Sequence, residues 1–111
     1  MPLTVREYQT ADGATPFRDW LGTLDLAVRA RIQARVLRFE LGNLGDCKSV
    51  GAGVQEARVM FGPGYRIYFA RDGKSLILLL AGGTKSTQAQ DIRRARRYWQ
   101  DYVKENRDGA T

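Results

Sequence analysis

The stretch EARVMFGPGYRIYFARDGKSLILLLAGGTK, Glu56 to Lys85, decides the fold of this chain. Ala57, Val59 and Phe61 alternate with Glu56, Arg58 and Met60, and Tyr65, Ile67 and Phe69 alternate with Arg66, Tyr68 and Ala70. A period of two over β-branched and aromatic residues marks half-buried strands. Gly62-Pro63-Gly64 between these runs suits a turn in which proline fixes φ and glycine takes the positive φ. Asp72-Gly73 is a hairpin signal. Leu76 to Ala81 is apolar without alternation, which predicts a central strand covered on both faces. The stretch therefore reads as an antiparallel meander, with Arg58, Arg66 and Lys85 available at its surface.

Working outward, Leu3 to Gln9 predicts a first strand, with Leu3, Val5 and Glu7 on one side and Thr4, Arg6 and Tyr8 on the other. Thr15-Pro16 is a helix start, and a short helix through Phe17, Trp20 and Leu21 stops near Gly22. Asp25 is the expected N-cap of a longer helix ending at Leu41. It carries two apolar stripes, Val28-Ile32-Val36-Phe39 and Ala30-Ala34-Leu37-Leu41, which predicts two neighbours. Arg31, Arg35 and Arg38 share its remaining face, read as a solvated surface. Residues 42–54 read as a loop rich in glycine and small polar side chains. Thr87 to Gln90 is a capping box, opening a last helix to about Glu105 with Ile92, Ala95, Trp99, Tyr102 and Val103 buried and Arg93, Arg97 and Lys104 outward. Residues 106–111 are expected to fray. The predicted fold is α+β in the order β-α-α-β-β-β-α: an antiparallel sheet, two N-terminal helices packed on it, and a C-terminal helix.

Composition narrows the chemistry. A chain of 111 residues fits one domain spanning 1–111. Residues 1–55 carry seven Lys+Arg and six Asp+Glu, whereas residues 56–111 carry eleven and six, so the excess charge gathers on the meander and last helix. Such concentration favours an anionic partner such as nucleic acid. There is no histidine and a single cysteine, Cys47, which removes Ser-His-Asp and Cys-His catalysis and the usual zinc ligands. The carboxylates form no cluster suggesting a metal-dependent nuclease, so neither metal nor cofactor is expected. No apolar run is long enough to cross a membrane, and a cytoplasmic location is the expectation. Arg, Lys and Tyr on a sheet suit one reaction in particular. RNA supplies its own nucleophile, the 2′-hydroxyl, and the protein need only position it, stabilise charge on the phosphate and move protons.

Glu56-Ala57-Arg58, Phe61 through Phe69, Leu79 through Gln88, Asp91-Ile92 and Ala95 through Trp99 together resemble the HigB-type branch of the RelE/ParE toxins of toxin–antitoxin modules, the addiction-module killer proteins. With the early strand and helical pair, the resemblance covers about residues 2–104. It implies a RelE-like fold and a toxin that cleaves mRNA, ribosome-associated and metal-independent, inhibits translation and is neutralised by a helix-turn-helix antitoxin. It further implies Arg66 as the main phosphate-binding arginine, Lys85 as the basic residue after the last strand and Arg58 as the second phosphate contact. Tyr65, Tyr68, Gln88 and Arg93 complete the implied RNA-binding set. The chain lacks the histidines that some relatives use and a lysine pair before the Tyr-Arg strand, so the acid and base are unassigned. Two alternatives stay open: a ParE-type inhibitor of DNA gyrase without nuclease activity, and an inactive antitoxin-binding module.

Overall fold

The computed structural model describes residues 2–109. The meander forms strands β3 (Val54–Val59), β4 (Tyr65–Asp72) and β5 (Leu76–Thr84), as alternation and turn chemistry require. At the β3–β4 turn, Gly62 and Gly64 have φ of +57° and +86°, the region that side chains disfavour. β5 is buried on both faces, apart from its ends.

Two further strands complete a five-stranded sheet. The others are β1 (Thr4–Glu7) and β2 (Cys47–Gly51), and the spatial order is β1-β5-β4-β3-β2. Helices α1 (Pro16–Gly22) and α2 (Leu26–Glu40) follow β1, and a 3₁₀ turn (Lys85–Thr87) leads from β5 into α3 (Gln88–Gly109). The fold is α+β, but two expectations need correction. The order is β-α-α-β-β-β-β-α, because part of the predicted 42–54 loop is β2, paired antiparallel to β3 with Lys48 opposite Glu56. Lys48 and Ser49 are exposed, and a short polar edge strand has no apolar alternation to reveal it. The sheet is also mixed rather than antiparallel. β1 runs parallel to β5, Val5 opposite Ile77, and fills the edge that the meander leaves open.

The side-chain period divides the core into two layers. Ala57, Val59, Ile67, Phe69, Ile77 and Leu79 meet Phe17, Leu21, Val28, Ile32 and Phe39 of α1 and α2. Val54, Tyr68, Ala70, Leu78 and Leu80 meet α3 through Ala95, with Ile92, Tyr98, Trp99 and Tyr102 around it. A bulge in β5 opposite Tyr68 and Phe69 places Leu80 and Ala81 successively in the α3 layer.

Two helical details also depart from expectation. Val28, Ile32 and Phe39 are buried on α2, but its second stripe finds no neighbour: Ala30, Ala34, Leu37 and Leu41 are exposed. The entry to α3 is capped one turn early, with the Thr84 N–H donating to Thr87 Oγ1 at 3.4 Å. α3 continues past Glu105 to Gly109, and of the tail expected to fray, residues 110–111 lie outside the described residues. No helix among the described residues is long and apolar enough to cross a membrane.

Candidate nucleic-acid interface

α3 begins beside Glu56 and covers the sheet face toward Val54 and Ala70, leaving the β3–β4 turn end of that face open. An open cleft of about 420 Å³ lies there, lined by Arg58, Met60, the Phe61–Tyr65 turn, Arg66 and Lys85. Arg58 and Arg66 stand directly opposite each other in the β3–β4 register, and so project from the same face. Like charges in that relation repel. Each has a carboxylate on its flank. Arg58 pairs with Asp46 at 3.2 Å, where both side chains are well solvated, so the pair contributes little to stability. Arg66 pairs with Glu56, its Nε 3.5 Å from Oε2.

The Glu56 pairing is of a different kind. Glu56 is fully buried, and its Oε2 accepts hydrogen bonds from the Tyr68 hydroxyl at 3.1 Å and the Gln88 side-chain amide at 2.8 Å. Its Oε1 is buried without a hydrogen-bond partner, as is Arg66 Nε, for which 3.5 Å is an ion-pair distance only. Three donors from β4 and the start of α3 therefore face one carboxylate oxygen of β3. The Tyr68 phenol has its pKa pushed well above the ordinary value, by burial first and by the Glu56 charge second. It stays protonated and can donate. Arg66 is 12% exposed at its side chain, which leaves its rim in the cleft while the adjoining Glu56 holds its direction.

A second buried cation supports the other arginine. Arg35 of α2, expected on a solvated face, is buried and donates to the carbonyls of Leu44 (3.1 Å), Asp46 (2.9 Å) and Arg58 (2.8 Å). Burial, with Arg38 adding to it, lowers its pKa. Arginine nonetheless remains a cation in proteins. By holding the 44–46 loop against β3, it keeps Asp46 beside Arg58. Arg31, one turn earlier, lies 4.3 Å over the Phe61 ring at the base of the turn.

The remaining expected residues fall in different places. Lys85 is exposed at the cleft lip. Tyr65 lines the cleft but is half-buried, packed on the α1/α2 layer. Tyr68 is fully buried and offers no surface to a ligand, and Gln88 is half-buried on Glu56. Arg93 is exposed on α3, outside the cleft lining. The sequence reading missed Glu56 and Arg35. Glu56 lies two residues from Val54 on the buried side of β3, opposite Tyr68, and that phase is the signal that marks it as interior.

α3 is anchored to the sheet at Gly83, where any Cβ would overlap the Asp91 carboxylate. Asp91 is buried, accepts from Thr87 Oγ1 at 2.5 Å and pairs with Arg94 at 2.8 Å. That contact fixes where the Lys85–Thr87 turn ends, and hence where Lys85 and Gln88 stand.

The family model "Phage derived protein Gp49-like (DUF891)" matches residues 19–100, which include the cleft, Glu56 and the Asp91 anchor. The chain belongs to the Gp49-like family of phage-derived proteins. A Haemophilus influenzae relative, described as an uncharacterized protein, is 46% identical over 81 residues, covering 72% of this Gp49-like chain and 82% of the relative.

Proposed function

We propose that this Gp49-like protein is the toxin of a toxin–antitoxin pair, with a RelE-like fold, and that it cleaves mRNA at the Arg58–Arg66–Lys85 cleft. The observation that carries the reading is the placing of Arg58 directly across the sheet from Arg66, with Lys85 at the lip of the same cleft. Two guanidinium groups face to face are unfavourable until an anion lies between them, and a phosphodiester supplies one with oxygens for both forks.

In this reading the 2′-oxygen of the substrate forms a bond to phosphorus as the P–O5′ bond breaks. The products are a 2′,3′-cyclic phosphate and a 5′-hydroxyl, which takes up a proton. Charge accumulates on the non-bridging oxygens as phosphorus becomes five-coordinate, and Arg58 and Arg66 are the donors set to stabilise it. Arg66 acts from a fixed direction because Glu56, Tyr68 and Gln88 hold its carboxylate partner. Lys85, exposed and mobile at the lip, neutralises charge on the leaving 5′-oxygen. Asp46 competes with the phosphate for Arg58, and its exposed pair is weak enough for a phosphate to displace. Tyr65 and the outward Met60 offer apolar surface to a flanking base.

The partners in this account are mRNA, engaged at the ribosome in the cytoplasm, and a helix-turn-helix antitoxin. The test is induction of the protein in cells without an antitoxin, with mRNA 5′ ends mapped across the transcriptome. New ends that vanish in Lys85→Ala support the reading. Growth arrest with intact mRNA and altered DNA supercoiling overturns it in favour of gyrase.

A further inference from the structure

We propose that the outer face of α2 is a docking surface for an amphipathic helix of a partner protein, one edged with carboxylates. This inference stands apart from the cleft and does not depend on nuclease activity. The exposed large apolar side chains of the molecule are Leu26, Leu37, Leu41 and Met60, at 78%, 57%, 70% and 82% exposure. Three of these four belong to one line on α2 and its C-terminal cap. At 3.6 residues per turn, Leu26, Ala30, Leu37 and Leu41 fall within about 60° of arc, with Ala34 beside them. An apolar stripe some 22 Å long costs solubility when left bare, and marks an interaction site when it runs unbroken along a helix.

The surroundings select the occupant. Along one side of the stripe the fold opens into a groove of about 340 Å³ between α2 and β1, lined by Val5, Ile32, Val36 and Leu37. Leu37 belongs to both stripe and groove, so the apolar surface turns inward there. A ridge of side chains from another helix can enter such a groove, whereas a flat membrane surface cannot. The other side of the stripe is edged by Arg31 and Arg38, both exposed, while Gln33 and Glu40 border the groove. In an antiparallel two-fold pair of copies, arginine edge would meet arginine edge between chains that each carry a net charge of +6. A helix with apolar residues at i, i+3, i+4 and i+7 and Glu or Asp along one side satisfies both features. Alanines 27, 30 and 34 let it approach closely.

The full chain is titrated with a synthetic helical peptide of that design, and with a matched peptide whose glutamates are lysines. Backbone amide shifts and fluorescence anisotropy are followed together. The expected result is shifts confined to α2 and the β1 groove, affinity at least tenfold weaker for the lysine-edged peptide, and loss of binding in Leu37→Asp/Leu41→Asp. Those positions are exposed, so that variant should keep the thermal midpoint and RNA cleavage of the parent chain. Absence of binding, shifts centred elsewhere, or equal affinity for both peptides would overturn the proposal. So would self-association of the parent chain, or binding to anionic vesicles, that the double substitution abolishes. Because binding is read directly, a failed nuclease assay leaves this result standing, and failed binding leaves the cleft untouched.

Discussion

At the scale of single residues, the account turns on which charges are buried and which are free. Lys85 is exposed, so Lys85→Ala should leave the urea midpoint nearly unchanged, within about 0.5 kcal/mol. It should lower the rate of RNA cleavage by roughly 10² or more, the effect of losing one charge-stabilising donor. An unfolded variant would show that the lysine is structural. Glu56 is the opposite case. Glu56→Ala strands Arg66, Tyr68 and Gln88 around an empty volume and should cost about 3–5 kcal/mol. Glu56→Gln keeps an acceptor for Tyr68, so it should cost less and fail chiefly in activity. Equal stability of Glu56→Ala and the parent chain in urea titration would remove Glu56 from the support of the site. Arg58, Arg66 and Lys85 could be singled out from the sequence because their residue types and turn positions show without a structure. Glu56 and Arg35 could not, since burial of a charge depends on partners from β4, α3 and the 44–46 loop, far away in the chain.

At the scale of elements, the sequence was informative wherever a period survived. β3, β4 and β5, the Pro16 helix and α2 all follow from alternation, caps and turn residues. β2 escaped because an edge strand with Lys48 and Ser49 facing solvent needs no apolar pattern. The parallel β1–β5 pairing escaped because pairing is chosen by the whole sheet, not by either strand. The second stripe of α2 was read correctly as apolar, but apolarity alone does not say whether the neighbour belongs to the same chain. The junction of β5 and α3 carries its own prediction. Gly83→Ala drives a methyl group into the Asp91 carboxylate, and α3 must move to relieve it. Stability and cleavage should therefore fall together, unlike in Lys85→Ala, with a thermal melt and a cleavage assay as the two readouts. Full activity at reduced stability would separate the position of α3 from the working of the cleft.

At the scale of the whole molecule, the α3 layer holds three tyrosines, Tyr8, Tyr68 and Tyr102, whose pKa values are raised from the ordinary 10.0, with burial the first cause in each. The unfolded chain releases these protons near pH 10, and the folded one retains them to higher pH. Their contribution to stability is thus complete below about pH 10 and is lost as pH rises beyond it. Urea midpoints measured from about pH 9 to about pH 11 should fall, with tyrosinate absorbance rising alongside unfolding. A midpoint that climbs across that range would contradict the burial of the layer. The charge pattern acts at the same scale. The basic excess converges on the open end of a face that α3 otherwise covers, so the fold itself confines an RNA phosphate to the place where Arg58 and Arg66 meet. The most direct measurement is a cell-free translation reaction supplied with the purified protein, in which the ends of the reporter mRNA are mapped and their chemistry read. The account predicts new 5′-hydroxyl ends paired with 2′,3′-cyclic phosphates, lost in Lys85→Ala. Intact mRNA, or cleavage that persists undiminished in Lys85→Ala and Arg66→Lys, would contradict it.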